Sequence, residues 1–231
     1  MATFPEVKAL TFDIYGTVLD LTGSLTPIID DFLKTRGSTV STTRFWADWR
    51  ARQRLEQFQD TIMMVGHAGY LEVARRACAY TLRLHGFGGS TQEQEALMRG
   101  WDVLSPFPDV VPALERLRAS YTLVALSNGE QRYMDRMIQD RIRFEFAEAM
   151  SVDMVGRFKP HPSVYRRAAT LLGLEVGQCM MVSSHAFDTA GARACGFKAA
   201  YVNRYNLPFD DTPYLPQLTV ANFTDLAGAL L

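Results

Sequence analysis

The stretch Phe12-Asp13-Ile14-Tyr15-Gly16-Thr17 lies close to the amino terminus, at the end of the apolar run from Val7 to Phe12. A short apolar run of this kind is typical of a buried β-strand, and the glycine indicates a tight loop directly after it. The loop contains a carboxylate, a phenol and a hydroxyl within five residues. We therefore expect the functional site to be built around Asp13.

Short apolar segments alternate with helical segments in the second half of the chain. Strands are predicted at residues 122–126, 146–151, 179–182 and 199–202, and helices at residues 110–118, 131–139, 162–172 and 188–195. This alternation predicts an α/β fold with a Rossmann-like parallel sheet and helices on both faces. Such sheets carry their functional side chains in loops at the carboxyl ends of the strands.

The segment between the first strand and the rest of the sheet has a different character. Helices are predicted at residues 25–35, 42–64, 70–84 and 93–101, with Thr42 or Thr43 as the cap of the second. No strand is predicted between residues 22 and 105. We therefore expect a core domain of residues 1–21 and 106–231, with an inserted all-helical cap domain of residues 22–105.

Composition excludes several classes of protein. The 231 residues are 48% hydrophobic and 21% charged, with a net charge of −1, which argues against a nucleic-acid surface. No apolar run reaches the ~18 residues of a membrane helix. The three cysteines, Cys78, Cys179 and Cys195, are far apart and odd in number, which predicts buried free thiols and a cytoplasmic location.

Four short motifs follow one another along the chain. They are Asp13-Ile-Tyr-Gly-Thr17, Leu126-Ser-Asn-Gly129, Lys159-Pro160 and Ser183-Ser-His-Ala-Phe-Asp188. With these motifs in this order, and a helical insert after the first, the chain resembles the haloacid dehalogenase superfamily over essentially its full length.

Two departures separate the chain from the phosphatases that dominate this superfamily. Tyr15 stands where a phosphatase has its acid–base aspartate, and a phenol with a pKa of about 10 is a poor acid–base group near neutral pH. Ser184 stands where a phosphatase has an aspartate that binds Mg²⁺, which leaves Asp188 alone in that motif. The sequence is therefore similar to the L-2-haloacid dehalogenase branch, which attacks carbon and uses no metal or other cofactor.

The resemblance implies how the catalytic residues act. Asp13 displaces the halide from C2 of the substrate and forms an ester, which water then hydrolyses. Lys159 keeps Asp13 ionised, and Asp188 positions or activates the water. The resemblance adds three further side chains to this catalytic group, which are Thr17, Tyr165 and Ser183.

The resemblance also implies the residues that bind the substrate. Ser127 binds the substrate carboxylate, Asn128 faces the halide, and Phe187 forms an apolar wall. His185 is a departure, because the best-known members have asparagine there, and a histidine titrates near neutral pH. Two further residues of the first loop, Ile14 and Tyr15, complete this group.

The halide needs a cation, and the resemblance places it in the cap. On a helix, Arg50 shares a face with Trp46, Trp49 and Gln53. Arg52 is the main alternative and Arg44 a weaker one, since spacing does not choose among them. Arg50 is the preferred residue on the resemblance.

Most of these residue types also have an ordinary structural explanation. Asp13 and Ser127-Asn128 suit turns after strands, Asp188 suits a helix N-cap, and Tyr165 suits a packed helix. A lysine before proline, as at Lys159, is most often a loop residue. The order of the four motifs favours the functional interpretation.

The predicted function is metal-independent dehalogenation of short (S)-2-haloalkanoic acids to (R)-2-hydroxy acids. The alternatives are a hydrolase of the same fold that acts at carbon with a non-halide leaving group, a small-molecule phosphatase, and a member without catalysis that serves in binding. The expected partners are the haloacid and the halide ion, with no nucleic acid and no membrane. The aromatic residues of the cap are compatible with a homodimer.

Overall fold

A computed structural model describes residues 4–64 and 66–231; residues 1–3 of the predicted core domain lie outside this part. Its strands are β1 (Ala9–Phe12), β2 (Leu19–Asp20), β3 (Ser105–Pro106), β4 (Thr122–Ser127), β5 (Glu148–Ser151), β6 (Cys179–Ser183), β7 (Lys198–Val202) and β8 (Leu218–Val220). Its α-helices are α1 (Leu21–Thr35), α2 (Thr42–Met63), α3 (Tyr70–Leu84), α4 (Thr91–Met98), α5 (Val110–Leu117), α6 (Gln131–Met137), α7 (Pro162–Leu172), α8 (Ala186–Ala194) and α9 (Phe223–Leu230).

The chain forms two compact units. The core unit contains the chain up to Leu19 and again from Pro106 to Leu231, and the cap unit is Asp20–Ser105. The strands β2 and β3 lie at the two points where the chain passes from one unit to the other. The predicted domain boundary after residue 21 lies two residues beyond the first of these points.

A six-stranded sheet forms the centre of the core unit, in the order β5-β4-β1-β6-β7-β8 with every neighbouring pair parallel. With this strand order, the right-handed rule for parallel crossovers assigns α5 and α6 to one face and α7 and α8 to the other. The predicted parallel sheet between helices is thereby confirmed. The direction of strand addition reverses at β1, which makes its carboxyl end the expected position of the site.

The three central strands are buried on both sides, which explains their continuous apolar sequences. Phe12 at the end of β1 aligns with Ala125 of β4 and with Val182 of β6. Thr11 is the polar exception in β1, and its hydroxyl donates to the carbonyl of Met180 at 3.2 Å. The strands therefore end nearly level, and the loops that follow them meet at one edge.

The cap unit is built around aromatic side chains on α2. Phe45, Trp46 and Trp49 are buried there, and Trp49 Nε1 donates to the carbonyl of Ala74 on α3 at 2.9 Å. The Trp49 and Trp101 rings meet edge to face, with centroids 6.3 Å apart. Within residues 4–64 and 66–231, every helix is too short or too polar to cross a bilayer.

Local capping differs from the sequence prediction at two helices. α1 begins four residues earlier than predicted, because the Asp20 side chain accepts a hydrogen bond from Gly23 N at 2.8 Å and caps it. The cap of α2 is Ser41, whose hydroxyl accepts from Arg44 N at 3.2 Å, so the prediction of Thr42 or Thr43 was wrong.

The carboxyl-terminal elements β8 and α9 were not predicted. Among the cysteines, Cys78 and Cys179 are buried free thiols as expected, whereas Cys195 is only partly buried.

Candidate active site

Asp13 directly follows β1 and is almost completely buried. Its backbone N–H continues the sheet by donating to the carbonyl of Val182 at 3.0 Å, so the residue is held where the strand ends. Thr17 Oγ1 donates to Asp13 Oδ2 at 2.6 Å. Because Ser184 N in turn donates to Thr17 Oγ1 at 2.9 Å, the loops after β1 and β6 are joined through one hydroxyl.

A tight turn holds the Asp13 loop in shape. The carbonyl of Ile14 accepts from Val18 N at 3.1 Å and from Leu19 N at 2.8 Å. Gly16 has φ +98°, a conformation that only glycine adopts readily. This explains why a glycine separates the carboxylate and phenol of this loop from the hydroxyl that holds Asp13.

Tyr15 is buried between residues of the core unit. Its ring stacks on that of Tyr133 from α6, with centroids 5.5 Å apart and planes 2° from parallel. A Cβ on Gly129 would lie 2.5 Å from Tyr15 Cε2, so the glycine is needed for the ring to fit. Sequence reasoning missed Tyr133 and the packing role of Gly129, although the glycine in the motif after β4 was a signal for a close approach.

The ammonium group of Lys159 lies between two buried carboxylates. Lys159 Nζ is 3.1 Å from Asp13 Oδ1 and 2.9 Å from Asp188 Oδ2. Tyr165 on α7 donates its hydroxyl to Asp188 Oδ1 at 2.7 Å. Each oxygen of Asp188 therefore has a partner, and none of these contacts is an N-cap, so the capping explanation for Asp188 was wrong.

The charges around Lys159 set its protonation state. Burial alone would lower the pKa of Lys159, but the charges of Asp13 and Asp188 outweigh it and raise the pKa above its usual range. The lysine is therefore an ammonium ion at neutral pH. For Tyr165, burial and the neighbouring Asp188 raise the pKa well above that of a free phenol, so the hydroxyl keeps the proton that it donates to Asp188.

The pKa values of the two carboxylates are shifted in opposite directions. Burial alone would raise the pKa of Asp13, but the charges of Lys159 and protonated His185, with the hydrogen bonds it accepts, lower it below its usual range. Burial and repulsion from Asp13 raise the pKa of Asp188 in spite of Lys159. Asp13 is thus suited to attack as an anion, and Asp188 is the better proton acceptor.

The loop after β4 contributes two polar side chains. Ser127 Oγ accepts from Gly129 N at 3.1 Å, which is the turn contact expected of this sequence and leaves the hydroxyl proton free for another acceptor. Asn128 Oδ1 accepts from the backbone N–H of Lys159 at 2.8 Å. Asn128 therefore positions the lysine backbone, and its amide NH₂ group remains available as a donor.

Four of the predicted residues lie between the last residue of β6 and the first turn of α8: Ser183, His185, Phe187 and Asp188. Ser183 Oγ accepts from His185 N at 3.2 Å, which shapes the start of α8. His185 Nε2 lies 3.0 Å from the carbonyl of Tyr15 and 3.7 Å from Asp13 Oδ2, and its ring stacks on that of Phe187. Since a carbonyl only accepts, Nε2 carries a proton in this contact.

Ser184 is also buried in this loop, and its hydroxyl has no partner within residues 4–64 and 66–231. A buried hydroxyl without a partner is costly and indicates a place for a water or a polar ligand atom. In the same described part of the chain, no group of three or more His, Cys, Asp or Glu side chains is arranged to hold a metal ion. The cation between the carboxylates is the lysine ammonium.

Two of the three candidate arginines of the cap unit already have carboxylate partners on α2. Arg44 Nε lies 2.7 Å from Asp48 Oδ2, and Arg52 Nη2 lies 2.7 Å from Glu56 Oε1. Both pairs are four residues apart on the helix, and an anion would have to compete with these carboxylates.

Arg50 differs from them in its surroundings. Its guanidinium group lies 5.6 Å from the ring centroid of Trp46 and donates to the neutral side chain of Gln53. Gln53 is completely buried, and its Nε2 has no partner among the residues that are described. No carboxylate among the described residues is paired with Arg50, and the Gln53 amide has N–H groups without an acceptor. These donors therefore suit an anion.

Comparison with known proteins agrees with this geometry. A haloacid dehalogenase-like hydrolase family model matches residues 7–196. The (S)-2-haloacid dehalogenase of Pseudomonas sp. (strain YL) is 30% identical, covering 94% of this chain and 91% of its own. The haloacetate dehalogenase H-2 of Moraxella sp. (strain B) is 29% identical, covering 93% and 94%.

Solved structures give the same result. The L-2-haloacid dehalogenase of Xanthobacter autotrophicus with chloropropionic acid covalently bound superposes with a TM-score of 0.80 at 26% identity, covering 96% of this chain and 97% of that one. Since the family model spans most of the chain and includes all four motifs, the chain belongs to the haloacid dehalogenase-like hydrolases.

Proposed function

We propose that the protein catalyses the metal-independent hydrolysis of short (S)-2-haloalkanoic acids to (R)-2-hydroxy acids. The observation that carries the proposal is the buried, ionised Asp13 paired with Lys159 in a loop that has Tyr15 in place of an acid. A halide leaves as a stable anion and needs no proton, whereas a phosphate ester needs an acid for its leaving alcohol. This site therefore suits displacement at carbon.

In the first step, an oxygen of Asp13 attacks C2 of the substrate from the side opposite the halide. A C–O bond forms while the C–halogen bond breaks, and the halide takes the bonding electrons, which inverts C2. Thr17 and Lys159 hold the two oxygens of Asp13 in place at 2.6 and 3.1 Å. Alignment of this kind removes much of the entropic barrier to attack.

In the second step, water attacks the carboxyl carbon of the Asp13 ester and the acyl C–O bond breaks. The hydroxy acid leaves with its C2–O bond intact, and its alkoxide oxygen takes back the proton that Asp188 removed from the water. We assign the proton of this water to Asp188, whose raised pKa suits it as a base. Tyr165 and Lys159 orient its carboxylate, and the unmatched hydroxyl of Ser184 supplies a partner for the water.

We propose that the substrate carboxylate is bound by the hydroxyl of Ser127 and by the backbone of Ile14 and Tyr15. We propose that the halide is bound by Arg50 and by the amide group of Asn128. The reason for Arg50 is that Arg44 and Arg52 already have carboxylate partners. Phe187 and His185 are assigned to the apolar side of the substrate, where their stacked rings exclude water.

The same proposal covers the organisation of the protein. The core and cap units are proposed to be two domains, with the helical domain inserted after the first strand. The free cysteines support a reducing cytoplasm. A homodimer remains part of the proposal.

Halide release is the direct test. Chloroacetate, fluoroacetate and both enantiomers of 2-chloropropionate are incubated with the protein in EDTA, and halide and hydroxy acid are measured. We expect release from the (S) enantiomer with (R)-lactate as product, and none from Asp13→Asn. The matched control is Asp31→Asn, an exposed aspartate, which keeps full activity.

Two outcomes would overturn the assignment. If no short haloacid releases halide, the dehalogenase assignment is wrong. If the protein releases phosphate from a phosphate ester and EDTA abolishes this release, it is a phosphatase. A single turnover in H₂¹⁸O tests the ester: one ¹⁸O should enter the Asp13 peptide, as measured by mass spectrometry.

A further inference from the structure

The turn after β7 reaches the loop that contains Asp13. Arg204 Nε donates to the carbonyl of Thr17 at 3.3 Å, and the hydroxyl of Tyr205 donates to the carbonyl of Gly16 at 3.1 Å. Two consecutive carbonyls of the loop are thereby held by two consecutive residues that are nearly 190 positions away in the sequence. Neither residue belongs to the four motifs of the sequence analysis.

The guanidinium group of Arg204 is itself fixed from several sides. Arg204 Nη1 lies 3.1 Å from Asp109 Oδ1, and the group lies 3.9 Å from the ring centroid of Phe107 and 5.1 Å from that of Phe223. The other oxygen of Asp109 accepts from Phe223 N at 2.7 Å. The Arg204 side chain is 8% exposed, and the ion pair and ring contacts hold its planar group while Nε donates to the backbone carbonyl.

Arg204 is connected to Asp13 through Thr17. The residue whose carbonyl is held by Arg204 is Thr17, and the hydroxyl of Thr17 donates to Asp13 Oδ2 at 2.6 Å. We propose that Arg204 and Tyr205 are positioning residues, which fix the backbone of residues 16–17 so that the Thr17 hydroxyl stays on the Asp13 carboxylate in the orientation for attack. This inference rests on the proposed function, because only there is Asp13 the attacking group.

A purely structural role makes a different prediction. A residue that only stabilises the fold would lower the thermal stability and the amount of active enzyme, without changing how each active molecule responds to pH or substrate. A positioning residue changes kcat with little effect on KM. It also moves the acid limb of kcat/KM to higher pH, since Asp13 loses a donor that favours its ionised form.

The variants are Tyr205→Phe, which removes only the hydroxyl, and Arg204→Lys, which keeps the charge opposite Asp109 but loses the planar group. We expect each to lower kcat by about tenfold, within the range reported for small misplacements of reacting groups. The matched controls are Tyr121→Phe and Arg193→Lys. Tyr121 donates to the carbonyl of Leu230 and Arg193 to that of Leu215, both away from Asp13.

A double-mutant cycle tests whether the effect passes through Thr17. In a Thr17→Val background the hydroxyl is absent, so Arg204→Lys should lower kcat by less than about twofold further. Fully additive losses of kcat in the cycle would overturn the proposal. Losses of kcat that only follow the melting temperature, with the acid limb of kcat/KM unchanged, would also overturn it.

A measurement without substrate separates this proposal from the assigned activity. Amide hydrogen exchange is followed in peptides that cover residues 12–19. Faster exchange there in Tyr205→Phe and Arg204→Lys, and not in the two controls, supports the positioning role. Unchanged exchange overturns it, whereas an inactive wild-type protein with the expected exchange pattern overturns only the dehalogenase assignment.

Discussion

Lys159 Nζ is within hydrogen-bond distance of both Asp13 Oδ1 and Asp188 Oδ2, so one substitution removes the counter-charge of two buried carboxylates. Two buried carboxylates without a cation do not both stay ionised, and such a pair takes up a proton. The lysine is therefore the main group that keeps the attacking carboxylate ionised. The motif Lys159-Pro160 could not show this, because it contains neither partner.

Lys159→Met should move the acid limb of kcat/KM to higher pH. Asp13 must be ionised to attack; Lys159 lowers its pKa in the folded protein, so loss of the lysine raises that pKa and activity fades earlier on acidification. Removing one partner of a buried ion pair should also cost about 3–5 kcal/mol of stability. The pH profile and urea unfolding measure the two effects.

The control for this variant is Lys198→Met, which breaks a more exposed ion pair with Glu6. It should leave the acid limb in place and change stability by less than about 1 kcal/mol. An acid limb in Lys159→Met that coincides with that of the wild type would contradict the role given to the lysine.

His185→Asn should shift the same acid limb in the same direction by a smaller amount. His185 lies 3.7 Å from Asp13 Oδ2, and its positive charge at low pH helps to lower the pKa of Asp13. Asparagine keeps a hydrogen-bond donor at this place but has no charge. The pH profile of His85→Asn, a histidine of the cap unit, is the comparison; equal profiles for both variants would rule out the electrostatic effect.

At the scale of the elements, the site depends on how closely the loop after β4 approaches the loop after β1. Gly129 leaves room for the Tyr15 ring, which in turn stacks on Tyr133 of α6. Gly191 on α8 plays a similar part, since a Cβ there would lie 2.5 Å from Pro160 Cβ. Small residues at these contacts let rigid elements bring their polar loops together.

Gly129→Ala should displace the Tyr15 ring. The added methyl group would lie 2.5 Å from Cε2 of that ring, and overpacking of this kind costs about 1–3 kcal/mol. We expect lower stability and a lower kcat/KM for 2-chloropropionate. Gly177→Ala is the matched control, because nothing lies within 4 Å of its added Cβ. Equal activity and stability in the two variants would contradict the packing account.

At the scale of the whole molecule, the chain leaves the core unit after Leu19 and returns at Pro106, so the cap unit directly follows, in sequence, the loop that contains Asp13. The two units contain different kinds of polar side chains. The core unit contains the buried network of Asp13, Lys159 and Asp188, and α2 of the cap unit carries arginines beside aromatic rings.

Arg50→Gln should therefore have a larger effect than the same change at Arg52 or Arg44. Arg50 has no carboxylate partner among the described residues, whereas the other two are neutralised by Glu56 and Asp48. On the proposed assignment of Arg50 to the halide, loss of this charge should lower kcat/KM by about 10²-fold. Steady-state halide release decides among the three, and a larger loss in Arg52→Gln would reassign the cation.

The sheet and most helices were predictable because their signals are local. α3 and α7 were predicted with their observed bounds, since apolar spacing and flanking glycine or proline mark both ends of each. β8 was missed because Leu218–Val220 is a three-residue strand only partly buried at the sheet edge. Its identity depends on pairing with β7, which no local pattern contains.

The sequence by itself determined the class of the fold, the order of the four motifs and the replacement of two acidic residues by Tyr15 and Ser184. These are properties of residue type and spacing along the chain. Only the tertiary structure decided that Lys159 lies between Asp13 and Asp188, that Asn128 holds the lysine backbone, and that Arg204 supports the carbonyl of Thr17. These contacts join atoms 29 to 187 residues apart in sequence, so they depend on how the strands pair and the helices pack, and they set the charges on which the chemistry depends.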